Sequence, residues 1–214
     1  MSRPRALTQT DALPRFGDRR RLRIGLLGGS FNPAHSGHRH IAMQALRRLR
    51  LDQIWLLVSP GNPLKPARGM ASLPERLASA RAIADGRRIV ATAIEAALRT
   101  RFTFDTLRAL RRRFPCARFV WLMGADNLVQ LPRWYRWRDI TRGMPVAVLP
   151  RPSYNHRALA GQGAQRLRFA RLRPAAAPTL ADMPPPVWTF LPTPQHAASA
   201  TALRAATRED RHRS

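Results

Sequence analysis

The chain has 214 residues, enough for one packed domain, and none of its apolar runs approaches the ~18 residues that span a membrane. Its 38 Lys and Arg residues outnumber its 12 Asp and Glu residues, but they are spread along the whole chain, which indicates a compositional bias. The only cysteine, Cys116, excludes an internal disulfide and a cysteine-based zinc site, and its apolar neighbours predict a buried thiol in a reducing, cytoplasmic compartment. We therefore expect neither a specific nucleic-acid partner nor a membrane partner.

The first 20 residues are predicted to form a disordered basic extension. They are rich in arginine but lack the apolar segment of a secretory signal. A mitochondrial-type presequence is the alternative, although Asp11, Asp18 and two prolines count against it. The folded domain is accordingly predicted at residues 21–206, with a short tail at residues 207–214.

The turn between the first predicted strand and the first predicted helix has the composition of a phosphate-binding corner. The apolar run 24–27 ends at the glycine pair 28–29, and a helical pattern begins again at Ser36. The glycines let a ligand approach the backbone, and the helix start presents unpaired N–H groups. Ser36 is a candidate N-cap, so His35 and His38, three residues apart, can face one anion. A structural turn that contains two histidines is the alternative.

The rest of the chain alternates strands with helices. Continuous apolar runs predict strands buried on both faces, as in a parallel sheet covered by helices. We therefore predict an α/β fold, a Rossmann-like doubly wound, mostly parallel sheet with helices on both faces and a nucleotide site at the carboxyl edge of the strands. Residues 151–186, rich in Pro, Ala, Gly and Arg, are predicted to be a long, partly ordered connection. The further strands are predicted at 53–58, 88–92, 118–123, 146–149 and 187–191, and the further helices at 74–84 and from 103 or 105 to 113.

Several later stretches place polar or aromatic residues after strands or at helix starts. Lys65 follows the second strand, where its ammonium can bind phosphate or can be a lysine that survived by chance. Thr103 can cap a helix, and Asp126, directly after a strand, can either cap the next helix or accept a hydrogen bond from a ribose hydroxyl. The three aromatics within 134–137 cannot all face the core, so at least one is available for stacking. Residues 199–204 form either an ordinary helix cap or a second anion site.

Over residues 22–206, these stretches resemble the nicotinate-nucleotide adenylyltransferases, a branch of the nucleotidylyltransferases that carry a His-x-Gly-His motif. The chain departs from the family pattern at Leu64, where His is usual, at Phe102, where Tyr is usual, and at Ala198, where Ile is usual. The matching stretches read Gly28-Gly29-Ser30-Phe31-Asn32-Pro33-Ala34-His35-Ser36-Gly37-His38, Asn62-Pro63-Leu64-Lys65, Phe102-Thr103-Phe104-Asp105-Thr106-Leu107, Gly124-Ala125-Asp126, Leu131-Pro132-Arg133-Trp134-Tyr135-Arg136-Trp137 and Ser199-Ala200-Thr201-Ala202-Leu203-Arg204.

The resemblance implies adenylyl transfer from ATP to nicotinate mononucleotide, with release of pyrophosphate and no covalent intermediate. It also implies Mg²⁺ that binds together with ATP, with no dedicated metal site. An oligomeric state is possible. The backbone near Thr103 would receive the substrate carboxylate, and Trp134 would stack on the pyridine ring. The implied catalytic residues are His35, His38, Lys65 and Arg204; the implied ATP contacts are Gly28, Gly29, Ser30, Phe31, His35, His38, Ser199, Thr201 and Arg204; the implied nicotinate mononucleotide contacts are Asn62, Thr103, Asp126, Trp134 and Arg151.

Two rival interpretations stay open from the sequence. Within the class, a sister enzyme would use another acceptor, such as nicotinamide mononucleotide or phosphopantetheine. Outside the class, the chain would be a basic nucleic-acid-binding protein with a degenerate site, which the scattered arginines do not favour.

Overall fold

A parallel sheet of six strands forms the centre of the fold. The structure, a computed structural model, describes Leu13, residues 17–61 and residues 69–193. All pairings between neighbouring strands are parallel, and the order across the sheet is β3-β2-β1-β4-β5-β6. The strands are β1 (Arg23–Gly29), β2 (Gln53–Val58), β3 (Ile89–Thr92), β4 (Arg118–Gly124), β5 (Val146–Leu149) and β6 (Trp188–Phe190).

Helices connect successive strands and cover both faces of the sheet, so the predicted doubly wound α/β fold is confirmed. No helix in the described part of the chain is both long and apolar enough to cross a membrane. The α-helices are α1 (Ser36–Arg48), α2 (Leu73–Ile83), α3 (Ile94–Ala97), α4 (Thr103–Arg113), α5 (Ala125–Gln130), α6 (Trp137–Gly143), α7 (Asn155–Ala160) and α8 (Gln162–Arg166).

Each strand contributes to two cores because its side chains alternate between the two faces of the sheet. On β2, Trp55 and Leu57 pack in the core that α4, α5 and α6 cover. Ile54, Leu56 and Val58 pack in the opposite core, which α1 and α2 cover. This two-sided burial explains why the strand sequences are continuously apolar.

The order of the strands reverses between β1 and β4, which are neighbours in the sheet but are separated by two strands in the sequence. Connections that start at the carboxyl ends of these two strands run to opposite sides and leave a crevice between them, where ligands bind in open α/β sheets. Gly28 and Gly29 are the last two residues of β1, and Asp126 follows β4. The topology therefore brings the two stretches to one site.

Part of the predicted N-terminal extension packs against the domain. Leu13 is 3 % exposed and belongs to the core that α4 covers. The Arg20 guanidinium lies 5.9 Å from the ring centroid of Trp55 and 5.6 Å from that of Phe114. The folded domain therefore extends further toward the N-terminus than the predicted boundary. Residues 1–12 and 14–16 of the extension, and the predicted tail, lie outside the described residues.

Residues 151–186 are more regular than their composition predicts. They contain α7, α8 and two 3₁₀ helices, at Arg168–Ala170 and Pro174–Asp182. The buried faces of these short helices consist largely of alanine, including Ala158 and Ala177. Such small residues give a weak hydrophobic pattern, which is why the helices were not predicted.

The thiol of Cys116 is half-buried, so the prediction of a buried thiol is wrong. Phe114 and Phe119 lie on either side of it in the sequence and fill the core, with their ring centroids 6.4 Å apart. The apolar flanks therefore belong to these two aromatic rings, and the turn that joins them leaves Cys116 near the surface.

Candidate active site

Two histidines form the cap of α1. The N-cap is His35, not the predicted Ser36, and its Nδ1 accepts a hydrogen bond from the Gly37 N–H at 3.2 Å. The Nδ1 of His38 accepts one from the backbone N–H of His35, also at 3.2 Å. This is the reciprocal arrangement of a capping box, with imidazoles in place of the usual hydroxyl and carboxylate. The spacing of the two histidines is thus explained by the helix start itself.

The cap fixes which nitrogen of each ring carries the proton. Because each Nδ1 accepts a hydrogen bond, a neutral imidazole must carry its proton on Nε2. Burial, with the nearby His35 ring and the charge of Arg151, lowers the pKa of His38 to about 3. The two ring centroids are 3.9 Å apart, a separation at which two cations would repel each other. His38 therefore presents an Nε2–H donor at neutral pH, and His35 presents one as long as its Nδ1 accepts the hydrogen bond from Gly37.

The turn that leads into the cap is held in an unusual conformation. Phe31 has φ +48°, in the left-handed region that residues other than glycine rarely adopt, and its side chain is 1 % exposed. Its ring lies 4.9 Å from that of His38. A Cβ on Gly29 would approach the Phe31 ring to 3.2 Å. Gly29 therefore leaves room for the Phe31 ring, and the Phe31 ring packs against the His38 ring.

Asp126 and Arg151 meet at the carboxyl ends of β4 and β5. The Arg151 Nε and the Asp126 Oδ1 are 3.5 Å apart, and neither of these buried atoms has a hydrogen-bond partner. Asp126 does not cap α5, whose N-cap is Gly124 without a side-chain hydrogen bond, so the capping alternative is excluded. A ligand hydroxyl could donate to the carboxylate and accept from the guanidinium, which would satisfy both orphaned atoms.

A cavity of about 180 Å³ opens beside the glycine turn. It is lined by Gly28, Gly29 and Ser30 together with Thr103 and Trp134, five of the predicted site residues. The five residues come from the end of β1 and the residue after it, from the start of α4 and from the stretch after α5, which are far apart in the sequence.

The start of α4 forms part of the cavity wall. The N-cap of α4 is Phe102, not Thr103, and no side chain caps the helix. The first N–H groups of the helix are therefore left without a side-chain acceptor, and together with the helix dipole they favour an anionic group.

Trp121 is a cavity residue that the sequence did not reveal. Its side chain is 4 % exposed, and its indole Nε1 is buried without a hydrogen-bond partner. A Cβ on Gly28 would lie 2.6 Å from the Trp121 Cη2, so the glycine is required by this ring as well as by any ligand. Nothing in the pattern distinguishes Trp121 from the other core residues of its strand.

Glu95 is a second cavity residue that was not predicted. Its Oε1 accepts a hydrogen bond from the Thr106 hydroxyl at 3.3 Å. Burial raises the pKa of Glu95 to about 7, against the opposing effect of the hydroxyl hydrogen bonds. A carboxyl group with such a pKa in a cavity is a common feature of functional sites. Glu95 is identified only by the position of α3 beside the cavity, and that position cannot be predicted from the sequence.

The remaining predicted site residues lie outside the described residues, and their roles stay predictions. Among the described residues, no group of three or more His, Cys, Asp and Glu side chains lies together as a metal site would require. The predicted residues outside the described ranges are Asn62, Lys65, Ser199, Thr201 and Arg204.

Comparisons with known proteins agree on one family. The family model described as cytidylyltransferase-like matches residues 26–206 of the chain. A relative from Gluconacetobacter diazotrophicus is 58 % identical over 198 residues, which is 92 % of each chain. A relative from Gluconobacter oxydans is 60 % identical over 183 residues, or 86 % of this chain and 94 % of the relative. Both carry the name "Probable nicotinate-nucleotide adenylyltransferase".

The fold also has counterparts among solved structures. One is described as Plasmodium falciparum nicotinic acid mononucleotide adenylyltransferase complexed with NaAD. It superposes with a TM-score of 0.64 over 86 % of this chain and 82 % of that chain. At 14 % sequence identity, the likeness shows a shared fold.

The low pKa of His38 predicts a pH-dependent contribution to stability. Between pH 6.5 and about 3, the unfolded chain binds a proton at this residue that the folded chain does not bind. The contribution of His38 to the free energy of unfolding is thus full above pH 6.5 and is lost as the pH falls. We expect the wild-type protein to lose more stability than His38→Asn between pH 7 and pH 4 in urea unfolding.

The matched control is His156→Asn, at an exposed position of α7. Its stability should follow that of the wild type at every pH. Equal pH slopes for wild type and His38→Asn would show that His38 is not held neutral by the fold.

Proposed function

The chain belongs to the nicotinate-nucleotide adenylyltransferases of the cytidylyltransferase-like family, and we propose that it performs their reaction at the cluster around His35 and His38. It transfers the adenylyl group of ATP to nicotinate mononucleotide, which gives nicotinate adenine dinucleotide and pyrophosphate, a step of NAD biosynthesis. The half-buried Cys116 and the absence of any other cysteine in the sequence suit the reducing cytoplasm that we propose as its location.

The reaction requires that the two substrates be aligned and that charge on the transferred phosphoryl group be stabilised. The attacking group is a phosphate oxygen of nicotinate mononucleotide, which is already anionic at neutral pH and needs no general base. It displaces pyrophosphate from the α-phosphorus in line, so the new P–O bond forms as the old one breaks. Catalysis then consists of holding the reactants in line and stabilising the charge on the oxygens of the transferred phosphoryl group.

The observation that carries the proposal is the double histidine cap. The Nδ1 atoms of both rings accept backbone N–H groups, so the nitrogen that each ring can direct at an anion is Nε2, as an N–H donor. We assign both to the α-phosphate oxygens. Because the rings are oriented before the substrate binds, little reorganisation is needed as charge develops.

The acceptor lies in the adjoining cavity. We propose that its carboxylate binds the uncapped start of α4 at Thr103 and that its pyridine ring stacks on Trp134. Its ribose hydroxyl bridges Asp126 and Arg151, whose facing atoms form an ion pair but have no hydrogen-bond partner. The triphosphate of ATP is assigned to Gly28, Gly29, Ser30 and Phe31, together with Lys65, Ser199, Thr201 and Arg204, and Asn62 is assigned to the acceptor.

Enzymes of this family use a divalent metal ion with ATP, and we propose Mg²⁺. The described residues contain no carboxylate cluster, and the residues of the phosphate corner are N–H donors, so the donor set suits an ion carried by the nucleotide oxygens. Bound in that way, Mg²⁺ supplies charge neutralisation to the departing pyrophosphate.

Two substitutions separate the roles of the two nitrogens of His38. The amide of Asn can replace Nδ1 as the cap acceptor but does not reach the position of Nε2, whereas the longer Gln side chain can place an N–H donor there. We expect His38→Asn to lose ~10²–10³-fold in kcat, a typical cost for one oxyanion donor, and His38→Gln to lose less. The measurement is steady-state pyrophosphate release. Equal losses for the two variants, or near wild-type turnover in His38→Asn, would contradict the assigned donor.

The acceptor is tested by a panel under identical conditions. Nicotinate mononucleotide should exceed nicotinamide mononucleotide by more than about tenfold in kcat/KM, because an amide directs N–H groups at the N–H donors of α4. Phosphopantetheine should give no pyrophosphate above the rate without acceptor. Faster turnover with either rival acceptor would replace the proposed substrate.

A further inference from the structure

One arginine holds three backbone segments together behind the candidate site. Arg76 of α2 is 2 % exposed. Its Nη1 donates to the carbonyl oxygens of Ser30 at 2.8 Å and Ser59 at 2.6 Å. Its Nε donates to the Ala71 carbonyl at 2.9 Å, and its Nη2 donates to the Pro60 carbonyl at 3.3 Å. A planar guanidinium, with donors in fixed directions, suits such a junction.

The charge of Arg76 has no acidic partner among the described residues. Desolvation lowers its pKa, and every donor contact that the structure gives it ends on a backbone carbonyl. Burial of an unpaired charge is costly, so its hydrogen bonds must compensate for lost hydration. Among the many arginines of the chain, no sequence signal marks this one.

The two strand-end segments that Arg76 joins belong to the candidate site. Ser30 begins the turn that leads from β1 to the histidine cap, and Ser59 begins the loop after β2. Both residues line the cavity assigned to the acceptor. The guanidinium therefore connects the phosphate corner with the cavity wall.

A second residue of α2 supports the same turn. The Ser79 hydroxyl accepts from the Ala34 N–H at 3.1 Å, and its single proton can go either to the Arg76 carbonyl at 2.9 Å or to the Phe31 carbonyl at 3.3 Å. Phe31 is the residue with the left-handed backbone. Such a conformation persists only where the surroundings hold it. α2 thus supports the turn from both ends of its strained section.

We propose that Arg76 is a positioning residue for adenylyl transfer, which fixes the separation between the turn after β1 and the loop after β2. The proposal rests on the proposed function, because this separation sets the approach of the acceptor phosphate to the α-phosphorus. Arg76 contacts neither substrate in this account. Its loss should therefore misalign bound reactants, lowering kcat more than it raises either KM, and a misplacement of about 1 Å can cost ~10²-fold.

The test uses chemical rescue of the full-length Arg76→Ala variant. We expect kcat to fall ~10²-fold, with smaller changes in KM for both substrates. Guanidinium at low millimolar concentration should raise the kcat of the variant at least about tenfold. Ammonium at the same concentration should restore little, because it lacks the planar set of donors. The matched control is Arg47→Ala, at an exposed position of the neighbouring helix α1, which should keep wild-type kcat. Wild-type kcat in Arg76→Ala, or equal rescue by the two cations, would overturn the proposal.

Amide hydrogen exchange tests the positioning role without reference to the reaction. In Arg76→Ala, exchange at the hydrogen-bonded amides of Ala34 and Ser59 should rise together and fall again with guanidinium, while exchange in β4 stays constant. Unchanged exchange in both loops would overturn the proposal. Failure of the wild type to release pyrophosphate from ATP and nicotinate mononucleotide would instead reject the proposed function. The exchange result would then still decide whether Arg76 holds the two loops in place.

If Arg76→Ala does not fold, Arg76→Lys replaces it. Lysine keeps the charge but cannot reach carbonyls in three segments with fixed geometry. We expect at least about a tenfold loss of kcat, with a melting temperature close to that of the wild type. Wild-type kcat in this variant would overturn the proposal.

Discussion

The structure depends on a pair of reciprocal hydrogen bonds at the start of α1. Gly37 donates to the ring of His35, and His35 donates to the ring of His38, so the helix start is capped and both imidazoles are oriented by the same contacts. A serine and a glutamate would cap the helix equally well but would offer no N–H to a phosphate. The cap thus explains why histidine is useful at both positions.

The rest of the fold serves to place other groups around this pair. The reversal of strand order between β1 and β4 brings Asp126 and Arg151 to the same edge of the sheet as the histidines. Burial is the main cause of the low pKa of His38, and electrostatic interactions with His35 and Arg151 lower it further. Burial and a nearby cation thereby keep His38 an uncharged donor.

The sequence predicted the fold well because strand burial and helix periodicity are local signals. Its predictions at helix starts were weaker, since Ser36 and Thr103 are common cap residues by type, yet His35 and Phe102 occupy the caps. Of the site residues predicted from motifs, Gly28, Gly29, Ser30, Thr103 and Trp134 line one cavity, while Asp126 and Arg151 pair beside it, and the roles of all of them stay predictions. Trp121 and Glu95 could not be predicted, because their importance depends on which atoms stay unpaired or buried after packing, and no spacing encodes that.

The central claim is that the fold holds both histidines neutral, with the proton on Nε2, before any substrate binds. Long-range ¹H–¹⁵N correlation spectra of ¹⁵N-labelled protein at pH 7 report the tautomer of each ring directly, and the variants at positions 35 and 38 assign the signals. The account predicts a proton on Nε2 and an unprotonated Nδ1 for His35 and His38. A proton on Nδ1, or an imidazolium at either position, would contradict it.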